Sequence, residues 1–187
     1  MTIGDRFAET LEAARAGDPA ALEAMYRDLA PSVLGYLRAQ GAVEPEDLAS
    51  DAFVGVVRGL HRFRGDEKGF RSWVFSIVHR RLVDERRALA RRLEEPVEPA
   101  GLAAASGDLA GGDAEAEAMA AVGVRWAREA VSRLSPDQRS VVLLRVLADL
   151  PIDQVARILG KRVGAVKSLQ RRGLLALARQ IDAEGVS

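Results

Sequence analysis

Apolar residues recur at three- and four-residue spacing along almost every long segment of this 187-residue chain. Alternating apolar and polar runs, which indicate half-buried β-strands, are lacking. The pattern therefore predicts an all-α protein in which each helix buries one face. The stretch 93–120 differs, because it is rich in Ala, Gly, Pro and acidic residues and carries no periodic bulky side chain.

A stretch of that composition cannot bury enough apolar surface to offset the entropy lost on ordering. We therefore predict two small helical domains, over 1–92 and 121–187, joined by a flexible acidic linker over 93–120.

In the first domain, "PAALEAMYRDLAPSVLGYLRAQG" predicts the opening helices, with Gly41 as their stop. Their apolar stripe consists of Leu22, Met25, Tyr26, Leu29, Val33, Leu34 and Leu37. The next helix, "EPEDLASDAFVGVVRGL", groups Leu48, Ala52, Phe53, Val56, Val57 and Leu60 on one side. Its other side presents Asp47, Ser50, Asp51 and Arg58 to solvent or to a partner. A polar loop, "HRFRGDEKG", then leads into a long helical pattern ending at Arg92.

In the second domain, Ser135, Pro136 and Gln138 form the sequence signature of a capping box at a helix start. The following stretch, "PIDQVARILGKRVGAVKSLQRR", predicts a helix-turn-helix. Ala156 is small enough for the close crossing of its two helices, and Gly160 admits the left-handed backbone of the turn. Its small core would be closed by Val155, Leu159, Val163, Val166 and Leu169.

The remaining face of the second helix is cationic. Lys161 and Arg162 stand at its entrance, and Lys167, Arg171 and Arg172 follow along it. Positive side chains placed in this way can reach phosphates and base edges in a major groove. Taken alone, however, an ordinary helical hairpin with a solvated basic face explains this segment almost as well.

A second basic block lies within 60–92, where aromatic residues are interleaved with arginines. Phe63, Phe70, Trp73 and Phe75 are the aromatic members. Sites for single-stranded nucleic acid combine cations along the backbone with aromatic faces that receive bases, at about 1–3 kcal/mol per stacked base. Ile77 and Val78 follow Trp73 at helical spacing, so for Phe70 and Phe75 we predict core packing ahead of base stacking.

The overall charge is balanced, with 27 Lys and Arg against 27 Asp and Glu. The neutral total and the acidic linker leave self-masking of the basic blocks open as a hypothesis. The absence of cysteine excludes disulfides and thiolate metal sites. No signal peptide and no stretch near ~18 apolar residues is present, so we expect a cytoplasmic protein without membrane insertion.

The order and spacing of four segments resemble the sigma-70 family of bacterial transcription initiation factors, in its extracytoplasmic-function (ECF) group. "AMYRDLAPSVLGYLRAQG", "EPEDLASDAFVGVVRGLHRF" and "FRSWVFSIVHRRLVDERRALARR" resemble the second conserved region, and the segment from Leu134 to Leu177 resembles the fourth. The resemblance implies a region 2 bundle and a region 4 helix-turn-helix. Together they would direct core RNA polymerase to promoters and open the strands there.

The resemblance also implies roles for individual residues. Contact with the clamp helices of the largest polymerase subunit falls to Asp47, Ser50, Asp51 and Arg58. Recognition and melting of the −10 element falls to His61, Arg62, Phe63, Arg64, Lys68, Arg71, Trp73, Arg80, Arg81 and Arg87. Recognition of the −35 element falls to Lys161, Arg162, Val163, Lys167, Ser168, Gln170, Arg171 and Arg172. The polymerase β flap would meet the outer apolar surface of region 4, and an anti-sigma protein is a further expected partner.

Three single positions and the helix ending "SLQRRG", where arginine-histidine-arginine is more usual, depart from the family pattern. Arg162 stands where relatives usually have a serine cap, Lys161 where the turn is commonly apolar, and Arg80 where an asparagine is frequent. Promoter preference therefore cannot be copied from relatives.

Two other classes of function are alternatives. A stand-alone helix-turn-helix regulator explains the second domain but leaves the first domain without a function. An enzyme acting on nucleic acid would need converging carboxylates or histidines, and His61 and His79 are in no metal-ligand pattern. "GDLAGGD" lacks the lysine and hydroxyl residue of a phosphate-binding loop. We predict a non-catalytic protein that needs no cofactor.

Overall fold

The structure, a computed structural model, describes residues 3–94, 123 and 125–184, and the part of the chain it describes contains α-helices and 3-10 turns but no strand. The all-α prediction is confirmed. The helices are α1 (Phe7–Arg15), α2 (Pro19–Gln40), α3 (Pro45–Gly59), α4 (Glu67–Glu94), α5 (125–132), α6 (Pro136–Val146), α7 (Ile152–Leu159) and α8 (Val163–Glu184). A 3-10 turn, Leu60–Arg62, follows α3 directly.

The first four helices pack in sequence, α1 on α2, α2 on α3 and α3 on α4. Tyr36 and Leu37 of α2 meet Val74, Phe75 and Val78 of α4 in a core without solvent exposure. Full burial of such a side chain contributes about 1.5–3 kcal/mol. The predicted burial of Phe70 and Phe75 is confirmed.

The boundaries of α2 follow from local chemistry. Asp18 caps its start by accepting a 2.9 Å hydrogen bond from the Ala20 amide, and Gly41 ends it in a left-handed conformation with φ 76°. The predicted stop at Gly41 is confirmed. The sequence predicted more than one helix here, whereas α2 continues through Pro31. Burial of Leu29 and Val33 on either side of the proline offsets the missing amide hydrogen bond.

Two positions of the predicted apolar stripes are not in the core. Tyr26 is 46% exposed and Val57 is 51% exposed. Both lie at the edge of the α2 and α3 packing surface, and the helical period alone does not show where a buried stripe ends. Helix α1 was not predicted, although it buries Phe7, Leu11 and Ala14 at helical spacing.

The second group of helices builds its core from Val141, Leu144, Val155 and Val166. The predicted capping box is confirmed, since the Gln138 amide donates to Ser135 Oγ while the Ser135 amide donates to Gln138 Oε1. Gly173 of α8 is buried against α6, and a Cβ at this glycine would lie 2.9 Å from Val142 Cγ2. Close packing of α6 on α8 therefore depends on this glycine.

The two groups of helices touch each other, α2 against α6 and α4 against α7. Gln40 Nε2 donates a 2.9 Å hydrogen bond to Ser140 Oγ across this contact. Helix α4 ends at Glu94, so it includes the first two residues of the predicted linker. The rest of the linker, 95–120, lies outside the described residues.

Candidate nucleic-acid interface

The helix-turn-helix has the geometry predicted from its small residues. Gly160 ends α7 in a left-handed conformation with φ 62°, and Ala156 is buried where α7 packs on its neighbours. The Lys161 amide then donates to the Ala156 carbonyl at 2.9 Å, which closes the turn. Both predicted roles are confirmed.

The face of α8 that looks away from this core is exposed and cationic. Lys167, Ser168, Arg171 and Arg172 are exposed on it, and Gln170 is half-buried at its edge. Val163, which the sequence placed in the small core, is instead 42% exposed at the start of α8. It is the first residue of α8 and is therefore accessible at the entrance of the helix.

The two cations of the turn differ in their contacts. Lys161 Nζ lies 2.8 Å from Asp137 Oδ2 at the start of α6, which ties the turn to that helix. Arg162 is exposed and forms no ion pair with any described residue. Of these two cations, Arg162 is therefore the one free to contact a phosphate.

Aromatic residues fix the loop between α3 and α4. Phe63 is buried and stacks on Trp73, with ring centroids 5.3 Å apart and an interplanar angle of 26°. Phe63 also meets the edge of Phe70 at 5.3 Å. Trp73 is half-buried and lies so close to α3 that a Cβ at Gly59 would be 2.8 Å from its ring.

Arg15, a residue that the sequence did not single out, holds the loop between α3 and α4 in place. Arg15 of α1 donates through Nε to the Leu60 carbonyl at 3.3 Å and through Nη2 to the Phe63 carbonyl. Its Nη1 is paired with Glu12. The contacts join positions 45 and 48 residues apart, and no local sequence signal indicates such a pairing.

The cations around the loop and along α4 fall into two groups. His61, Arg62, Arg64 and Lys68 are exposed around the loop, and Arg80, Arg81 and Arg87 are exposed along α4. Arg64 Nη1 donates to the carbonyls of His61 and Phe63, both at 2.8 Å, and so stiffens the loop. Arg80 and Arg81 have no ion-pair partner among residues 3–94 and 125–184.

Arg71 is placed differently from the other cations. Its Nη2 lies 3.0 Å from Asp28 Oδ2, and both side chains are largely buried. Burial raises the pKa of the Asp28 carboxyl, while the neighbouring Arg71 guanidinium acts in the opposite direction. Arg71 thus joins α4 to α2 and is not free on the surface.

The predicted partner residues of α3 lie together on an exposed face. Asp47, Ser50, Asp51 and Arg58 are all exposed. Next to them is an apolar groove that the sequence did not indicate, since it consists of residues expected in the core. A cavity of about 270 Å³ in this groove is lined by Tyr26, Phe53 and Val57, among other apolar residues.

The described residues offer no metal site and no membrane span. They contain no group of three or more His, Cys, Asp or Glu side chains that could hold a metal ion. None of the helices in this part of the chain has the length and apolar character that crossing a membrane requires.

Comparison with known proteins matches both helical units to one family. The profile for Sigma-70 region 2 matches residues 25–92, and the profile for Sigma-70, region 4 matches residues 125–177. The ECF RNA polymerase sigma factor SigD of Mycobacterium tuberculosis is 30% identical over 194 residues, covering 99% of this chain and 89% of SigD. The chain is a member of the ECF sigma factor family. Its function class is therefore that of a transcription initiation factor.

Another ECF sigma factor, BldN of Streptomyces coelicolor, is 31% identical over 176 residues. That match covers 93% of this chain, and the chain spans 65% of the length of BldN. Among solved structures, CnrH in complex with the cytosolic domain of CnrY has a TM-score of 0.64 at 21% identity, covering 96% of this chain and 99% of CnrH. The sigma factor RpoE in complex with the anti-sigma factor NepR from Bartonella quintana has a TM-score of 0.64 at 18% identity, covering 86% and 96%. These two structures share the fold of this sigma factor.

Proposed function

We propose that this chain binds core RNA polymerase in the cytoplasm and gives it promoter recognition and strand opening, without catalysing a reaction itself. The observation that carries the proposal is the presence of two exposed cationic surfaces on separate helical units. One lies along α4 with Arg80, Arg81 and Arg87, and the other on α8 with Lys167, Arg171 and Arg172. Exposed surface cations of this kind supply the electrostatic part of DNA binding.

The −35 element is assigned to α8. Its exposed face can enter a major groove, with Lys167, Ser168, Arg171 and Arg172 toward the bases and Arg162 toward a phosphate. Val163 and Gln170 flank that face. Lys161, held by Asp137, supports the turn and stands at the margin of the proposed contact.

The −10 element is assigned to the loop after α3 and to the outer face of α4. His61, Arg62, Arg64 and Lys68 would surround an extruded base, whose unstacking costs a few kcal/mol. Trp73 would support the pocket, and Arg80, Arg81 and Arg87 would follow the strand backbone. Phe63 and Arg71, which the sequence also predicted at the −10 element, receive a structural role instead. Phe63 is buried and supports Trp73, and Arg71 is held by Asp28.

Polymerase docking is assigned to the exposed face of α3. Asp47 and Asp51 suit a basic partner, and the apolar groove beside them offers the buried centre that specific interfaces have. The exposed apolar residues of α8, Leu174, Leu175 and Ile181, suit the β flap. RpoE was solved with an anti-sigma factor, and we propose that a protein of this kind also restrains the present chain.

In vitro transcription with purified core polymerase on a genomic library tests the proposal. We expect promoter-specific transcripts only when chain and polymerase are both present. Tight, sequence-specific binding by the chain alone, with no transcripts, would support a stand-alone regulator and overturn the proposal.

A further inference from the structure

We propose that Lys167 is a site of lysine acylation, and that an acyl group on its Nζ releases this sigma factor from the −35 element. The donor is a small acyl phosphate, an activated carboxylic acid that carries negative charge. The consequence for the promoter rests on the proposed function, whereas the reactivity of Lys167 rests on the structure alone.

Lysine is rare in this chain and is confined to the proposed DNA contacts. The sequence has three lysines against 24 arginines. Lys68 belongs to the proposed −10 site, and Lys161 and Lys167 belong to the proposed −35 site. A lysine amine that accepts an acyl group loses its charge, whereas the arginine guanidinium stays charged. Acylation of side-chain amines is therefore directed at the DNA-facing surfaces and spares the arginines that hold the fold.

Lys167 has open space on the side from which a donor approaches. It is exposed and forms no ion pair with any residue that the structure describes. A helical side chain leans over the turn that precedes it, and for Lys167 this turn contains Gly164. Apart from the helix backbone and the adjacent residues, no atom lies within 4 Å of the place where a Cβ at Gly164 would stand. A small donor can therefore reach Lys167 Nζ over this glycine without displacing another side chain.

The charges around Lys167 attract an anion. Arg171 lies one helical turn further along the same face of α8, and Arg162 stands just ahead of the helix. Both arginines are exposed, and α8 has no acidic residue before Asp182. A group of exposed cations raises the local concentration of an anionic reactant. An acyl phosphate is therefore concentrated beside Lys167 Nζ.

The other two lysines each lack one of these properties. Lys68 is exposed, but the two acidic residues 66–67 directly precede it and repel an anionic donor. Lys161 adjoins an exposed arginine, but its Nζ lies 2.8 Å from Asp137 Oδ2 and its side chain is only 29% exposed. It must leave this ion pair before it can react. We therefore expect Lys167 to react first.

The reaction transfers an acyl group from phosphate to nitrogen. Lys167 Nζ loses one proton to water and attacks the carbonyl carbon of the acyl phosphate, forming a C–N bond. The C–O bond to phosphate breaks, and the phosphate leaves with the bonding electron pair and takes up the second amine proton. The product is a neutral amide, which no longer attracts the duplex, so the affinity for the −35 element falls.

Treatment of the free chain with acetyl phosphate, followed by peptide mass spectrometry over a time course, tests the site. At low salt we expect Lys167 to be acetylated several-fold faster than Lys68 and Lys161. With N-acetoxysuccinimide, an uncharged donor, the difference between Lys167 and Lys68 should disappear while Lys161 stays slow. High salt should reduce the same difference with acetyl phosphate. Equal rates for Lys167 and Lys68 with acetyl phosphate at low salt would overturn the proposed site.

The effect on the promoter is measured with chain that has been treated until Lys167 is acetylated and the other lysines are not. The donor is removed, untreated core polymerase is added, and a promoter that the chain recognises is footprinted. We expect treatment to remove protection of the −35 element in the wild type. In Lys167→Arg, which has no amine at this position, the footprints before and after treatment should agree.

Lys68→Arg combined with Lys161→Arg leaves Lys167 as the sole side-chain amine, and this variant should lose protection on treatment as the wild type does. Circular dichroism melts show whether each protein is folded after treatment. Full protection by a folded chain that is completely acetylated at Lys167 would contradict the effect on the −35 element. Absence of any footprint before treatment, in the wild type and the variants alike, would overturn the proposed function instead, and the relative rates would still decide the site.

Discussion

Gln40 and Ser140 are 100 residues apart in sequence and joined by a 2.9 Å hydrogen bond that is buried between the two helical units. Removing either partner leaves the other buried without its bond, at about 1–3 kcal/mol, while removing both costs less than the sum. We expect Gln40→Ala and Ser140→Ala to lower the free energy of unfolding non-additively. A urea denaturation double-mutant cycle measures the coupling, and additive effects would contradict a docked interface in solution.

Lys167 and Arg171 share the exposed face of α8. We expect Lys167→Ala combined with Arg171→Ala to weaken binding at the −35 element and to lower the dependence of log Kd on log salt by about 1 for each phosphate that is no longer neutralised. DNase footprinting of the holoenzyme over a salt series measures both effects. Arg179→Ala, an exposed cation farther along α8, is the matched control. An unchanged footprint in the double variant counts against the assignment.

Trp73 stacks on Phe63 and lies against Gly59. Because the ring is half-buried, we expect Trp73→Ala to destabilise region 2 by less than the ~3–5 kcal/mol of a fully buried aromatic. At temperatures where the variant remains folded, permanganate reactivity of promoter thymines should fall. Trp73→Phe keeps an aromatic ring and should retain part of both properties. Normal melting and normal reactivity in Trp73→Ala would reject the role proposed for this residue.

Arg15 holds the loop through the carbonyls of Leu60 and Phe63. Hydrogen bonds to a charged group contribute about 1.5–3 kcal/mol, so we expect Arg15→Ala to loosen the loop while α2 and α4 stay packed. Faster hydrogen exchange of the Phe63 amide, which is bonded to the Leu60 carbonyl at 3.2 Å, reports the change.

Two variants calibrate that effect. Arg15→Lys keeps the charge but loses the two-pronged geometry, and its exchange rate should be intermediate. Arg27→Ala removes a cation whose side chain is 75% exposed and should change nothing. Equal exchange in the wild type and in Arg15→Ala would show that Arg15 does not position the loop.

Stability should depend on pH through His79. Burial, and secondarily the charge of Arg86, lower the pKa of His79 below its usual 6.5, and Tyr36 Oη lies 2.8 Å from its Nδ1. The unfolded state then binds the proton more readily than the folded state, so stability falls as pH drops from 6.5 toward the lowered pKa. Thermal melts across this window should show a slope that His79→Gln reduces and that His61→Gln, at an exposed position, preserves.

Much of this protein was determined by local sequence. The apolar period predicted the helices, Gly41 and Gly160 ended two of them, and Ser135 with Gln138 started another, because each depends on the conformation of a few neighbouring residues. The same local pattern predicted the helix-turn-helix and its exposed cations. The resemblance of four segments, in the right order, to one family was enough to indicate the function class.

Only the tertiary structure decided which cations are free and how the two units meet. Arg71 is held by Asp28, Lys161 by Asp137, and the loop by Arg15, in contacts between residues far apart in the chain. Gln40 and Ser140 carry no sequence signal of their pairing, since a polar residue in a helix is expected to face water. Periodicity shows which side of a helix is apolar, but packing against other elements decides whether a given side chain is buried, paired or left exposed to a partner.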